Sequence, residues 1–236
     1  MSTYSNVKFL TSAAEAHQLA PDAGKEIAFA GRSNSGKSTA INAITQRTGL
    51  ARVSRTPGRT QLINFFEVAP ERRLVDLPGY GFAHGARKDW ANLNKTVNDY
   101  LENRTNLSLV FVLIESGLPP QAIDLEFVAW LVRRAVPFVF VFTKTDKVTP
   151  VTVQTNLAAF AERIAPWFEK LPAVFTCSAV TRQGRQELLG VIDEAMTAIN
   201  RASIGARGPN EPSANLSLPA QLRENRKRRP DLNRPW

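Results

Sequence analysis

The chain has 236 residues, 43% of them hydrophobic, and its 30 Lys and Arg against 21 Asp and Glu leave a net charge of +9. That length holds one large domain or two small ones, and no apolar run reaches the length of a membrane span. The single cysteine, Cys177, excludes an internal disulfide, and Met1 to Leu10 lacks the basic and then apolar pattern of a secretory signal, so a cytoplasmic protein is expected.

Residues 1–23 are weakly patterned and read as an N-terminal extension, with Ala13 to Leu19 suiting a short helix or an edge element. Lys25 to Ala30 (KEIAFA) reads as a short buried strand. Gly31-Arg32-Ser33-Asn34-Ser35-Gly36-Lys37-Ser38 follows it and fits the phosphate-binding pattern G-x-x-x-x-G-K-[ST]. An amphipathic helix then runs to about Arg47. Strand, glycine loop and helix is the order that phosphate binding needs. The glycines let successive backbone N–H groups face one anion, and the helix N-terminus adds positive potential. Lys37 then reaches the β- and γ-phosphates, and the Ser38 hydroxyl binds Mg²⁺.

Thr48 to Thr60 mixes Gly, Pro, basic and hydroxyl residues without periodicity and reads as a mobile loop. Thr60 ends it just before a strand, Gln61 to Val68. A hydroxyl there completes a Mg²⁺ shell only when a γ-phosphate draws the loop in, which is a switch; Thr56 is the rival for this role. A turn over residues 69–72 makes a hairpin with Arg73 to Asp76. Asp76-Leu77-Pro78-Gly79 opens a second glycine-rich loop, to Gly85. An Asp ending a strand about forty residues after a phosphate loop is placed to support Mg²⁺ through water. The Gly79 N–H can meet a γ-phosphate.

Trp90 to Arg104 is helical, and Leu107 to Ile114 (LSLVFVLI) reads as a parallel strand covered on both faces. Helix Ala122 to Ala135, strand Pro137 to Phe142, helix Pro150 to Phe168, strand Ala173 to Thr176 and helix Arg185 to Asn200 follow. Strands alternating with helices imply one α/β domain over 24–200 with right-handed crossovers. From 201 the composition turns to Gly, Pro, Asn and Ser, and eight Lys and Arg stand against three Asp and Glu. This basic tail, 201–236, has too little apolar content to fold alone. It is either a solubilising tail or a salt-sensitive arm for RNA.

Thr143-Lys144-Thr145-Asp146 follows a strand. The Asp146 carboxylate offers two acceptors, and guanine presents two donors on one edge, N1–H and the 2-amino group. Adenine has an acceptor at N1 and no 2-amino group, so the carboxylate selects guanine. The Lys144 stem can pack along the base. Cys177-Ser178-Ala179 follows the last short strand, where a backbone N–H can meet the guanine carbonyl.

These motifs stand in the order of the small GTP-binding proteins. The stretches 31–38, Arg55 to Phe66 (RTPGRTQLINFF), Asp76 to Gly81 (DLPGYG) and 143–146 closely resemble the EngB (YihA/YsxC) family of bacterial GTPases, over residues 24–200. The resemblance implies a three-layer P-loop GTPase fold: a mostly parallel sheet of about six strands, one of them antiparallel, with helices on both faces. It implies GTP and GDP as ligands, with Gly58, Arg59, Thr60, Gln61, Leu62, Leu77 and Pro78 beside them, and Lys37, Thr60 and Gly79 in the catalytic roles. Ser38 and Thr60 would ligate Mg²⁺ directly and Asp76 through water. It also implies a role in assembly of the large ribosomal subunit, on that subunit or its rRNA precursor, and a link to cell division and septation. No membrane partner is expected, and a monomer is.

Thr143 stands where Asn is commoner, and Glu115-Ser116-Gly117 departs from the family, where an Asp and often an Arg are common. Tyr80 occupies the position at which many GTPases carry a water-orienting Gln, so slow hydrolysis completed by a partner or ion is expected. In related GTPases an Asn at the position of Asn34 helps to bind K⁺; the plainer reading is a hydrogen bond within the loop. His17 and His84 form no metal cluster, and Trp90, Trp130 and Trp167 read as core anchors. Arg47, Arg52, Arg55 and Arg59 lie in or beside the first switch loop, for rRNA or for solvent. Two other readings are a small-molecule kinase, which would leave 143–146 without a purpose, and a guanine-nucleotide binding module with negligible turnover.

Overall fold

The Val-, Phe-, Ile- and Leu-rich runs form the middle of a seven-stranded sheet in the computed structural model, which describes residues 3–53, 62–81 and 87–197. The strands are β1 (Lys8–Ala13), β2 (Lys25–Gly31), β3 (Ile63–Ala69), β4 (Arg72–Asp76), β5 (Leu107–Glu115), β6 (Phe138–Thr143) and β7 (Val174–Thr176). The helices are α1 (Lys37–Thr45), α2 (Arg87–Asn103), α3 (Ala122–Arg133), α4 (Pro150–Ile164) and α5 (Arg185–Thr197). The order across the sheet is β1-β3-β4-β2-β5-β6-β7. Only β3 runs against its neighbours, pairing antiparallel with both β1 and β4. The fold is the three-layer arrangement expected from the sequence, with one reversed strand.

The seventh strand is β1, where the sequence shows only weak patterning. It covers one flank of β3, with a register break between Phe9 and Thr11, and Phe9 is 55% exposed. An edge strand that buries so little carries a faint alternation. Ala13 ends that strand, and only Ala16–Gln18 turns, as a single 3-10 turn, so no helix spans 13–19. The predicted helix to Phe168 stops at Ile164 and gives way to a 3-10 turn at Ala165–Trp167, where Pro166 has no N–H to donate.

The central strands alternate between two cores. Ile27 and Phe29 of β2 and Leu109, Phe111 and Leu113 of β5 face a cluster with Ile41, Ile44, Leu188 and Ile192 of α1 and α5. Ala28, Ala30, Val110, Val112 and Ile114 face the other, with Tyr100, Leu101, Phe127, Val128, Leu131 and Phe160 of α2, α3 and α4. Parallel strands buried on both faces need such continuous apolar runs. Trp130 is buried and stacks on Phe127, and Trp167 packs partly buried against the same cluster. The Trp90 side chain and His84 lie outside the described residues, and His17 is exposed beside Glu15. Arg47 donates to the Val7 carbonyl and so ties α1 to the N-terminal segment. Among the described residues no helix is long and apolar enough to cross a membrane, and no cluster of His, Cys, Asp and Glu could hold a metal ion alone.

One charged group sits inside the N-terminal end of the sheet. Glu26 is fully buried and accepts from Arg73 Nη1 at 3.1 Å, Arg104 Nη2 at 2.8 Å, Arg104 Nε at 2.9 Å and the Tyr100 hydroxyl at 3.0 Å. Arg73 and Arg104 also donate to the Pro21 carbonyl, and Asp22 accepts from the amides of Thr105 and Asn106. The segment before β2 and the end of α2 are thereby held to the sheet.

Candidate functional site

The chain leaves β2 at Gly31 and turns into α1 through 32–36. A Cβ on Gly31 would stand 2.4 Å from Ser35 Oγ and 2.6 Å from the Leu113 carbonyl, so the turn admits only glycine. Lys37 opens α1 and is buried. Its ammonium donates to the carbonyls of Gly31 and Arg32, each at 2.9 Å. Burial pulls its pKa down to about 8, against the opposing pull of Asp76 and Asp124. Ser38 Oγ donates to Asp76 Oδ2 at 2.7 Å, which joins the start of α1 to the end of β4. Asp76 is pushed up to about 6 by burial, opposed by the Lys37 charge and the Ser38 hydroxyl. Its Oδ1 is buried without a partner, as is Ser35 Oγ. A solitary carboxylate oxygen beside a hydroxyl is the donor chemistry of a hard divalent cation. Asn34 is exposed at the loop tip with φ +66°.

After β4 the backbone continues alongside β2, with the Leu77 amide donating to the Phe29 carbonyl at 3.1 Å. Leu77 and Pro78 are buried. Gly79 lies hard against the phosphate loop: a Cβ there would stand 2.7 Å from the Ser33 backbone and 3.0 Å from Lys37 Nζ. The Tyr80 ring packs on Phe127 with centroids 4.5 Å apart, and its hydroxyl donates to Asp124 Oδ1 at 3.0 Å. Tyr80 therefore points into α3. Burial first, and the Asp124 charge second, raise its pKa well above the usual phenol value.

The loops after β6 and β7 meet beside the phosphate loop. Thr143 is buried, and its hydroxyl donates to the Ser35 carbonyl at 2.7 Å. The Thr that stands where Asn is commoner thus ties two loops together. Lys144 turns with φ +60°, and its ammonium pairs with Glu115 at 2.7 Å. Thr145 donates its amide to the Cys177 carbonyl at 3.4 Å. Asp146 is exposed and accepts from the Ser178 hydroxyl at 2.6 Å. The amides of Cys177 and Ser178 are taken by the carbonyls of Phe142 and Gln183, so the Ala179 amide is the one this stretch can offer a ligand. Cys177 is buried, and burial with the Asp146 charge pushes its thiol up to about 12, the state of a packed residue rather than a nucleophile.

Residues 31–38, 76–79, 143–146 and 177–179 thus converge at one end of the parallel strands. Leu62 stands at the start of β3, half exposed; Thr56, Gly58, Arg59, Thr60 and Gln61 lie outside the described residues. Sequence gives two site residues no role. Glu115 stands out only as part of a departure from the family at the end of β5, and Asp124 reads as an ordinary acid in the first turn of α3. The partners that make them matter are 29 and 44 positions away.

A family model described as 50S ribosome-binding GTPase matches residues 26–144. A probable GTP-binding protein EngB from Phocaeicola vulgatus is 41% identical over 84% of this chain and 96% of its own length. One of the same name from Cytophaga hutchinsonii is 42% identical over 80% of this chain and 95% of its own. The crystal structure of a probable GTP-binding protein engB superposes with a TM-score of 0.58 and 25% identity, over 73% of this chain and 98% of that one. Era bound to MgGDPNP and a 16S ribosomal RNA fragment shares the fold at a TM-score of 0.56 and 18% identity, over 84% of this chain and 62% of that one.

Proposed function

The chain belongs to the EngB family of GTP-binding proteins and is a GTPase, and from that premise we propose a slow, Mg²⁺-dependent guanine-nucleotide switch that acts on the large ribosomal subunit during its assembly. The observation that carries this reading is the Thr143 to Ser35 hydrogen bond. It sets residues 31–38 and 143–146 side by side, which supports one nucleotide held by both.

Each residue then has a task. The backbone of 32–37 wraps the phosphates, and Lys37 exchanges its carbonyl partners for phosphate oxygens. Asp146 takes the two guanine donors, and the Ala179 amide meets the base carbonyl. Glu115 holds the Lys144 ammonium so that its stem forms a ledge for the base. Ser38 and Thr60 would hold Mg²⁺ with Asp76 behind them, and the ion would supply positive charge against the phosphates. The Gly79 N–H supports the γ-phosphate. Tyr80 is committed to Asp124 and leaves the attacking water without an orienting side chain from that position, so intrinsic hydrolysis is slow. A partner, or a K⁺ ion that Asn34 would help to hold, would complete the site. Arg52, Arg55, Arg59 and the basic tail supply electrostatic contacts to rRNA. The protein works as a cytoplasmic monomer, with the tie to cell division and septation that the family resemblance implies.

Co-sedimentation with purified large subunits tests the ribosomal part. Retention with a GTP analogue and release with GDP are expected; identical behaviour with both nucleotides would sink the switch. Hydrolysis at equal rates in K⁺ and Na⁺ would remove the ion at Asn34.

The Asp76 environment sets a pH dependence. Its carboxyl keeps its proton up to about pH 6 in the folded chain. A cation shell needs the carboxylate, so Mg²⁺-dependent GTP affinity should be full above pH 7 and fall as pH drops through 6. The same raised pKa means that the folded protein binds more protons than the unfolded one between about pH 4 and 6. Asp76 therefore destabilises the nucleotide-free fold as pH rises through that window. Asp76→Asn should accordingly raise the melting temperature of the nucleotide-free protein while weakening Mg²⁺-dependent binding. A flat Mg²⁺ titration between pH 5 and 8 would contradict this.

A further inference from the structure

We infer that Phe9, with Arg47 and Arg52 beside it, forms a stacking platform for an unpaired base of single-stranded RNA. The inference deepens the ribosomal reading above and rests on it for the choice of RNA.

Phe9 lies on the edge strand β1 and is 55% exposed; among the described residues no other Phe, Tyr or Trp is exposed. Its ring meets the buried Phe66 edge to face, with centroids 6.1 Å apart, so one side of it is held against the core. Phe66 is its cross-strand partner and belongs to the cluster of Val7, Ile41 and Ala51, which puts Phe9 on the α1 side of the sheet. Arg47, just past the end of α1, donates to the Val7 carbonyl, two residues or about 7 Å along the chain from Phe9. That bond uses one of the five guanidinium N–H groups and leaves others for an anion. Asn42 then accepts from the Ala51 amide at 2.8 Å and donates to the Ala51 carbonyl at 2.9 Å, which fixes Arg52 against the same end of α1. Arg47 and Arg52 are exposed, and among the described residues neither pairs with a carboxylate.

Sheet edges are ordinarily blunted with charge, and an exposed ring on one is a liability unless something covers it. The two open guanidiniums say what does. They attract an anion, and a single RNA strand brings phosphates for them together with a flat π-face for the ring. Every base has such a face, so the contact tolerates any sequence. Bases within duplex RNA are stacked on one another and offer the ring nothing.

The test uses the full chain and a fluorescein-labelled oligouridylate, read by anisotropy at physiological salt, with a duplex RNA of equal length beside it. Phe9→Ala should weaken oligouridylate binding about tenfold, the worth of one stacked base, and leave duplex binding unchanged. Phe9→Trp keeps a ring and should bind as the wild type does, with the fluorescence it adds quenched by the RNA. Arg52→Ala should lower the slope of log affinity against log salt by about 0.7, one phosphate contact, whereas Phe9→Ala should leave that slope alone. The basic tail is present in every variant and cancels. Unchanged GDP affinity establishes that each variant is folded. Equal oligouridylate affinity of wild type and Phe9→Ala would overturn the platform and leave the guanine reading standing, as would unquenched fluorescence in Phe9→Trp. Phe9→Ala that keeps oligouridylate but loses large subunits in co-sedimentation would assign the face to a protein and overturn the RNA platform too. Ring-dependent oligouridylate binding by a wild type that ignores large subunits would instead strike the ribosomal reading and leave the platform standing.

Discussion

Asp146→Asn should weaken GDP and GTP binding about a hundredfold and abolish the preference for guanine over adenine nucleotides. The carboxylate is exposed before a base arrives and is desolvated by it. Guanine gives it two donors; an asparagine keeps one acceptor and turns the other position into a donor that faces a donor. A mismatched buried pair costs about 3 kcal/mol, with some relief from water at this rim. Ser178 sharpens the effect. Its hydroxyl, itself buried, donates to Asp146 Oδ1 at 2.6 Å and holds an asparagine carbonyl at that corner, so the amide group has no good alternative rotamer. A base with oxygen in place of the 2-amino group restores the match, so xanthosine diphosphate should bind the variant better than GDP does. Titration of fluorescent nucleotides, competed by ATP, reads all of this. Unchanged guanine affinity would mean that the base is read elsewhere.

Glu26→Ala should destabilise the fold by about 3–5 kcal/mol, the largest stability loss expected of a single substitution in this chain. Glu26 is fully buried and neutralises Arg73 and Arg104, both nearly buried, while accepting from Tyr100. The alanine leaves the Arg73 guanidinium without the carboxylate it pairs with and Arg104 with Asp22 alone, 3.9 Å from its Nε. Burial first and the Glu26 charge next hold the Tyr100 phenol well above its usual pKa, so that it keeps the proton it donates to Glu26. For a chain of this size the melting temperature should fall by roughly 10 °C. Glu26→Gln, which keeps the shape and some acceptors, should lose less. Urea denaturation of the nucleotide-free protein separates these values. A loss under about 1 kcal/mol would show that water reaches the cluster. Because the cluster lies at the end of the sheet opposite the nucleotide loops, guanine affinity of the folded variant should be unchanged.

The two predictions differ in how visible they were in the chain. Asp146 stands in a short motif after an apolar strand, and its chemistry can be argued from two oxygens and a base edge. Glu26 looks like a stray acid in KEIAFA. Its partners at 73, 100 and 104 come from a neighbouring strand and from α2. The same division holds at Thr143. In the motif it is only a Thr where Asn is commoner, and the fold alone brings its hydroxyl against a carbonyl 108 residues earlier. Tyr80 follows the pattern too: its position suggested a missing water-orienting group, and the packing of α3 shows where the phenol goes instead.

By itself the sequence determined the class of the fold, the order of strands and helices from β2 to α5, and the segments proposed to bind phosphate and base. Those depend on local matters: apolar runs long enough for covered strands, glycines where the backbone must turn, and side chains whose donors and acceptors match a ligand. Tertiary structure alone decided the edge strand β1, the buried charges around Glu26, the Lys144 to Glu115 pair and the joint hold of Asp124 on Arg32 and Tyr80. Each of these is a contact between residues far apart in the chain. Its strength comes from removing both partners from water, and burial of that kind is a property of the packed layers and leaves no periodic trace in the order of residues.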